Sequence, residues 1–253
     1  MIRSLTPPAA ADEDALAAGF TTGPVRSRRL GRSLGVDCVP FKTCNYDCIY
    51  CELGKTDRKT MEIREYFPLA EIVREIDFFL RSAAARPDHV TISGCGEPTL
   101  YSRLGELISA IKDMTDIPVA LITNGSLFSL PQVLRAVSRA DVILPSLDAA
   151  REKTFQEVNR PHPLVSLADV KQGLFELRQK YTGRVWLEIF VTGMLSASEG
   201  EWSELKCLAD GIRPDKIHLN NLDRGAAEPG LKPVGRRQME LLAAVLGPDC
   251  EII

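Results

Sequence analysis

Short apolar runs alternate with amphipathic stretches along most of this chain, and that alternation limits the possible folds more than any other feature. Leu34–Val39, His89–Ser93, Pro118–Thr123, Asp141–Leu144, Val185–Val191 and Lys216–Leu219 read as strands, and Cys250–Ile253 as the start of another. Leu69–Ala84, Leu104–Met114, Leu130–Ser138, Leu167–Tyr181, Glu201–Ala209 and Val234–Leu246 read as helices, the fourth weakened by Gly173. In the first helix Ile72, Val73, Ile76, Phe79 and Leu80 share one face, and Pro68 sits in the opening turn. Strands separated by helices imply βα units and a parallel sheet covered on both faces. About six units in 253 residues suit one large domain. They suit an incomplete barrel or a doubly wound sheet, since a full (β/α)8 barrel needs eight.

Residues 1–22 are poor in large apolar side chains, so a mobile N-terminal arm is expected there, with the core domain over 23–253. Arg26, Arg28, Arg29 and Arg32 follow. They suit either the steering of an anionic substrate or a solvated charged stretch. The chain stops just after an apparent strand, which suggests that a C-terminal substrate-binding segment is missing. With 31 Lys and Arg against 34 Asp and Glu, the net charge is −3, and no global electrostatic attraction to nucleic acid is expected. No run of about 18 apolar residues suggests a membrane span. The N-terminus lacks the apolar stretch of a secretory signal, so a cytoplasmic location with reduced thiols is expected.

Chemistry is concentrated in Cys44-Asn45-Tyr46-Asp47-Cys48-Ile49-Tyr50-Cys51, which follows the first strand. In a barrel, that puts it at the C-terminal strand ends, where sites are built. Three thiolates on one loop suit an iron–sulfur cubane, which usually takes four cysteines. Of Cys38, Cys95, Cys207 and Cys250, only Cys38 lies at a spacing that approaches the trio. A cubane held by three thiolates leaves one iron open to a ligand. A structural zinc site usually takes four Cys and His ligands, and His89, His162 and His218 all lie far along the chain. A non-catalytic metal-binding protein is the bland alternative.

The C-x3-C-x-aromatic-C run resembles the signature of the radical S-adenosylmethionine (SAM) superfamily. The resemblance implies an incomplete (β/α)6 barrel and two cofactors, a [4Fe–4S] cluster and SAM. It implies Cys44, Cys48 and Cys51 as cluster ligands and Tyr50 as a wall near the adenine. Gly94-Cys95-Gly96-Glu97 is similar to the family's Gly-Gly-Glu segment, which meets the methionine amino group, with Cys95 where glycine is usual. Asn124, Ser146 and Asp148, at successive strand ends, are the implied partners of ribose and carboxylate; as residues preceding helices, they also suit N-caps. Glu188 alternates with Leu187 and Ile189, so an inward orientation would make it a buried carboxylate of the SAM pocket. Arg160 and His162, in a proline-stiffened loop, suit the barrel mouth.

The implied activity is one-electron cleavage of SAM to a 5′-deoxyadenosyl radical that abstracts hydrogen from an unassigned substrate, with electrons from an external flavodoxin- or ferredoxin-like donor. SRRLGRSLGVD, CNYDCIYC, SGCGEPTL, TNG and PSLDA together resemble a subgroup near the wyosine-type tRNA-modifying Fe–S oxidoreductases. The chain departs from that subgroup in having no second cysteine cluster, no strongly basic face and no lysine matched to the one that holds pyruvate. A small molecule, a nucleoside or tRNA, and a protein partner all stay open as substrates.

Overall fold

The computed structural model describes residues 19–82, 85–193, 199–223 and 225–253. Its centre is an eight-stranded sheet in the order β1 (Thr21–Ser27), β2 (Gly31–Val36), β5 (His89–Ile92), β6 (Val119–Thr123), β7 (Val142–Pro145), β8 (Arg184–Phe190), β9 (Lys216–Asn220) and β10 (Cys250–Ile252). Every pairing from β2 to β10 is parallel, and only β1 runs antiparallel, against β2. β3 (Thr43–Cys44) and β4 (Arg58–Lys59) form a separate two-residue ladder. This is the open, mostly parallel α/β fold expected of an incomplete barrel.

The helices are α1 (Leu69–Ser82), α2 (Leu104–Met114), α3 (Pro131–Val137), α4 (Glu152–Val158), α5 (Leu167–Lys180), α6 (Glu199–Ile212) and α7 (Arg236–Leu246). Their apolar faces cover the outer side of the sheet. Ile72 and Ile76 of α1, Leu107, Ile108 and Ile111 of α2, and Leu174 and Leu177 of α5 join Val90, Leu121, Ile143, Val185 and Leu187 in one core. Alternate strand residues point the other way. Ala120, Ile122, Val142, Leu144 and Trp186 form a second cluster, closed by Leu30 from the β1–β2 turn. Burying Leu30 to 2% exposure is worth about 1.5–3 kcal/mol, so this turn is a fixed part of the fold.

The first strand spans Gly31–Val36 rather than Leu34–Val39, because Asp37 and Cys38 already belong to the loop that carries the site. β1 replaces the expected charged coil. Its residues are exposed or half-buried throughout, so it leaves no alternating apolar pattern to read. Residues 1–18, which hold most of the expected arm, lie outside the described residues, whereas Thr21 and Thr22 begin β1. The Glu75 carboxylate holds that start, accepting the Phe20 and Thr21 N–H groups and the Thr21 hydroxyl, each at 2.7 Å. The expected helix end at Ala83 and Ala84 also lies outside the described residues. Gly173 has a packing reason within α5: a Cβ there would sit 2.6 Å from the Ser129 nitrogen.

Candidate active site

The cysteine loop lies beyond the C-terminal end of β2 and is tied down on two sides. The Asp47 and Ile49 N–H groups donate to the carbonyls of Asn159 (3.1 Å) and Val158 (2.9 Å). On the other side the Lys42 N–H donates to the Cys95 carbonyl at 2.5 Å and the Glu97 N–H to the Thr43 carbonyl at 2.9 Å. Gly96 makes this approach possible, because a Cβ on it would lie 2.1 Å from the Thr43 carbonyl oxygen. Gly94 sits at φ +70°, which turns the chain so that the Cys95 N–H reaches Asp37 Oδ1 at 2.7 Å.

Each of the three sulfurs faces a donor from a different residue. The Lys42 ammonium is 3.1 Å from Cys51 Sγ. Asn159 Nδ2 is 3.5 Å from Cys48 Sγ and Asn124 Nδ2 is 3.8 Å from Cys44 Sγ, which also faces the Tyr46 N–H at 3.4 Å. All seven cysteines are free thiols. Burial pushes the Cys44 thiol up to about 12 and Cys48 well above its usual value. A metal that takes these sulfurs must therefore displace their protons. No three His, Cys, Asp or Glu side chains among the described residues converge on a single ion. Three thiol sulfurs on one loop, each with its own N–H donor, are the donor type that an iron–sulfur cluster takes.

Beside the loop opens a cleft of about 810 Å³. It brings together Tyr50, Cys51, Gly94, Cys95, Ser146, Asp148 and Glu188 from the sequence-predicted set. Its far wall is the β1–β2 hairpin. Tyr50 stacks on Phe190 with centroids 3.9 Å apart and planes 6° from parallel, and its hydroxyl donates to Asp148 Oδ2. Asp148 also accepts Asn159 Nδ2 at 2.7 Å and the Phe190 N–H at 2.8 Å. Burial raises the Asp148 carboxyl against the pull of those donors. Burial likewise raises Cys95 to about 11, with Asp37 adding to the shift.

Gly96, Glu97 and Asn124 stand behind the cleft wall instead of in it. The Glu97 carboxylate is 2% exposed and already accepts the Thr99 N–H (3.0 Å), the hydroxyls of Thr99 and Thr123 (2.6 Å each) and the Asn124 N–H (2.8 Å). Three of these donors crowd Oε1 and one reaches Oε2, so the carboxylate organises the loop while Oε2 keeps one acceptor site. Asn124 links the Cys44 sulfur to Asn45 Oδ1 at 2.7 Å. None of Asn124, Ser146 and Asp148 caps a helix: the N-caps of α3 and α4 are Leu130 and Arg151. Arg160 pairs with Glu228 at 2.6 Å, and the His162 N–H holds the Asn45 carbonyl at 2.7 Å, so both brace the loop and neither lines the cleft.

Glu188 points into the lumen. Arg29 Nη1 lies 2.5 Å from both of its oxygens, and His218 Nδ1 lies 3.5 Å away without a hydrogen bond. Burial raises the Glu188 carboxyl, but His218 and Arg29 together outweigh it and leave the group below its usual value. A carboxyl depressed in the fold stabilises above its unfolded pKa of about 4.3 and loses that contribution as pH falls through the folded value. Glu188→Gln should therefore cost about 2–3 kcal/mol at pH 7, less than a fully buried pair because the Arg29 side chain is 25% exposed. Denaturant unfolding at pH 7 and near pH 3.5 checks this: the gap to wild type should narrow in acid, and a constant gap would mean that Glu188 acts by shape alone.

Lys42, Asn45, Asn159 and Phe190 complete the site without having been predicted. Asn45 and Lys42 adjoin the cysteines in sequence, but nothing in the spacing marks them as donors. Asn159 and Phe190 reach the site only through tertiary packing.

A family model described as the Radical SAM superfamily matches residues 38–205. A Brachyspira hyodysenteriae protein named GTPase Obg is 36% identical over 230 residues, a match covering 91% of this chain but 34% of that relative. This chain thus spans about a third of that protein's length. A UPF0026 protein of Methanocaldococcus jannaschii is 33% identical over 232 residues, covering 91% of this chain and 71% of the relative. Among solved structures, a radical SAM methyltransferase from Sphaerobacter thermophilus superposes with a TM-score of 0.65 at 16% identity, over 87% of this chain and 65% of that one. Streptococcus suis SuiB, bound to its precursor peptide SuiA, gives 0.65 at 16% identity over 85% and 47%. At such identities these likenesses speak to the fold alone.

Proposed function

Because the chain belongs to the radical SAM superfamily, whose enzymes use a [4Fe–4S] cluster and SAM, we propose that it is a SAM-cleaving radical enzyme with Cys44, Cys48 and Cys51 as the cluster ligands. One observation carries this reading: three sulfurs on one loop each face their own donor, and that loop lines, through Tyr50 and Cys51, a cleft large enough for a nucleoside. When bound, the cluster and SAM supply one-electron cleavage of the sulfonium to methionine and a 5′-deoxyadenosyl radical that abstracts hydrogen. The electron comes from an external flavodoxin- or ferredoxin-like donor.

This chain's residues bind and orient. The stacked Tyr50–Phe190 pair offers an aromatic surface for the adenine. Ser146 and the carbonyls of Gly94 and Cys95, residues that line the cleft, present acceptors to the ribose and the ammonium. Asp148 keeps Tyr50 and Asn159 in place and so fixes the side of the cleft next to Cys48.

The substrate side is the hairpin wall. Arg28 pairs with Asp223 at 2.5 Å and Arg29 with Glu188, but Arg26 lines the cleft and has no carboxylate partner among the described residues. That open guanidinium favours an anionic group on the substrate, such as the phosphate of a nucleotide or RNA on the wyosine-type reading, or a carboxylate of an acidic peptide. Anaerobically reconstituted protein given dithionite and SAM should release 5′-deoxyadenosine and methionine. Intact cluster without any cleavage would reject the proposal.

A further inference from the structure

Lys42 sits where a lysine is costly. Its residue is 3% exposed and its backbone is left-handed at φ +58°, a conformation uncommon outside glycine. Its ammonium makes two contacts, to Cys51 Sγ at 3.1 Å and to the Gly54 carbonyl at 2.5 Å. No carboxylate lies within ion-pair distance of it among the described residues. A buried cation without a counter-charge costs several kcal/mol, and proteins rarely keep one unless an anion arrives. The strained backbone is held in place by the Lys42 N–H bond to the Cys95 carbonyl, so the ammonium is aimed at the sulfur by both loops that flank the site.

We propose that Lys42 is the internal counter-charge of the cluster, donating a hydrogen bond to the Cys51 sulfur and raising the cluster's reduction potential. This rests on the reading that the three cysteines hold the cluster. A cubane on three thiolates is a net anion, and reduction adds one more negative charge. A fixed ammonium beside one sulfur stabilises the reduced form more than the oxidised form, and hydrogen bonds to cluster sulfurs shift potentials in the same sense. Lys42 is a positioning and tuning residue; it does not touch substrate.

The test compares wild type, Lys42→Met and Lys42→Arg, first without and then with the reconstituted cluster. Without the cluster, Lys42→Met should unfold at the same temperature as wild type or higher, because it removes an unpaired buried charge. With the cluster, it should be less stable than wild type. In a potentiometric EPR titration Lys42→Met should show at least a tenfold lower ratio of reduced to oxidised cluster at a fixed potential, which for one electron is a 59 mV negative shift. Lys42→Arg should stay near wild type. Equal destabilisation of Lys42→Met in both states with an unshifted potential would show that the lysine merely ties down Gly54, and would overturn the proposal. If Lys42→Met takes up no cluster, the cluster-free stabilities decide: an unfolding temperature equal to or above that of wild type supports the counter-charge and a lower one rejects it. Wild type that takes up no cluster would instead defeat the cluster reading itself.

Discussion

Alanine at position 48 should reduce 5′-deoxyadenosine release to the level of the no-enzyme control, a larger loss than the 10–100-fold typical when an outer-shell partner of a metal ligand is removed. The fold should survive. The loop around Cys48 is held by the Ile49 N–H to Val158, the Asp47 N–H to Asn159, and the Thr56 N–H to Asp47 Oδ1 at 2.8 Å, and none of these uses the sulfur. Cluster-free Cys48→Ala should therefore give the circular dichroism spectrum and unfolding temperature of cluster-free wild type. Iron and sulfide content should fall together with turnover. Retention of full turnover would remove Cys48 from the ligand set. Loss of turnover with a collapsed fold would point to a structural role for the sulfur.

Glu97→Ala should do the reverse. Four buried donors lose their acceptor at once, and each unsatisfied group costs about 1–3 kcal/mol when water cannot reach it. A loss of at least about 3 kcal/mol is expected, which for a chain of this length corresponds to a melting temperature lower by roughly 6–12 °C. The damage should show in the cluster-free protein, since the carboxylate joins the strand ends of β5 and β6 before any cofactor binds. Glu97→Gln, which keeps one oxygen but turns the other acceptor into a donor facing hydroxyls and N–H groups, should fall between. Thermal unfolding reads both variants. A Glu97→Ala protein with wild-type stability but weakened SAM binding would show that the carboxylate serves the ligand directly.

These two residues also show what the sequence made legible. The cysteine trio could be found because spacing on one loop is local information, and the parallel strands because their buried residues form unbroken apolar runs, as in Val142–Pro145. The role of Glu97 was harder to read. Its place beside Gly94 and Gly96 suggests contact with a ligand, but nothing local shows that Thr99, Thr123 and Asn124 also bind it, and two of those lie more than twenty residues away. The β1–β2 hairpin left no trace, since β1 buries neither face while its turn puts Leu30 and Arg29 inside the lumen. Alternation sets Glu188 opposite Leu187 and Ile189 without deciding which face is inward, and its partner Arg29 is 159 residues distant, so no local pattern pairs them. Nothing in the sequence around Lys42 marks it for a role. Only its burial and its distance from Cys51 set it apart.

Low-temperature EPR of the anaerobically reconstituted, dithionite-reduced protein, recorded before and after adding SAM, addresses the central claim most directly. The three-cysteine site predicts a reduced [4Fe–4S] signal whose g-values change when SAM is added. A cluster signal identical with and without SAM, or a protein that assembles no cluster under conditions in which it stays folded, would contradict it.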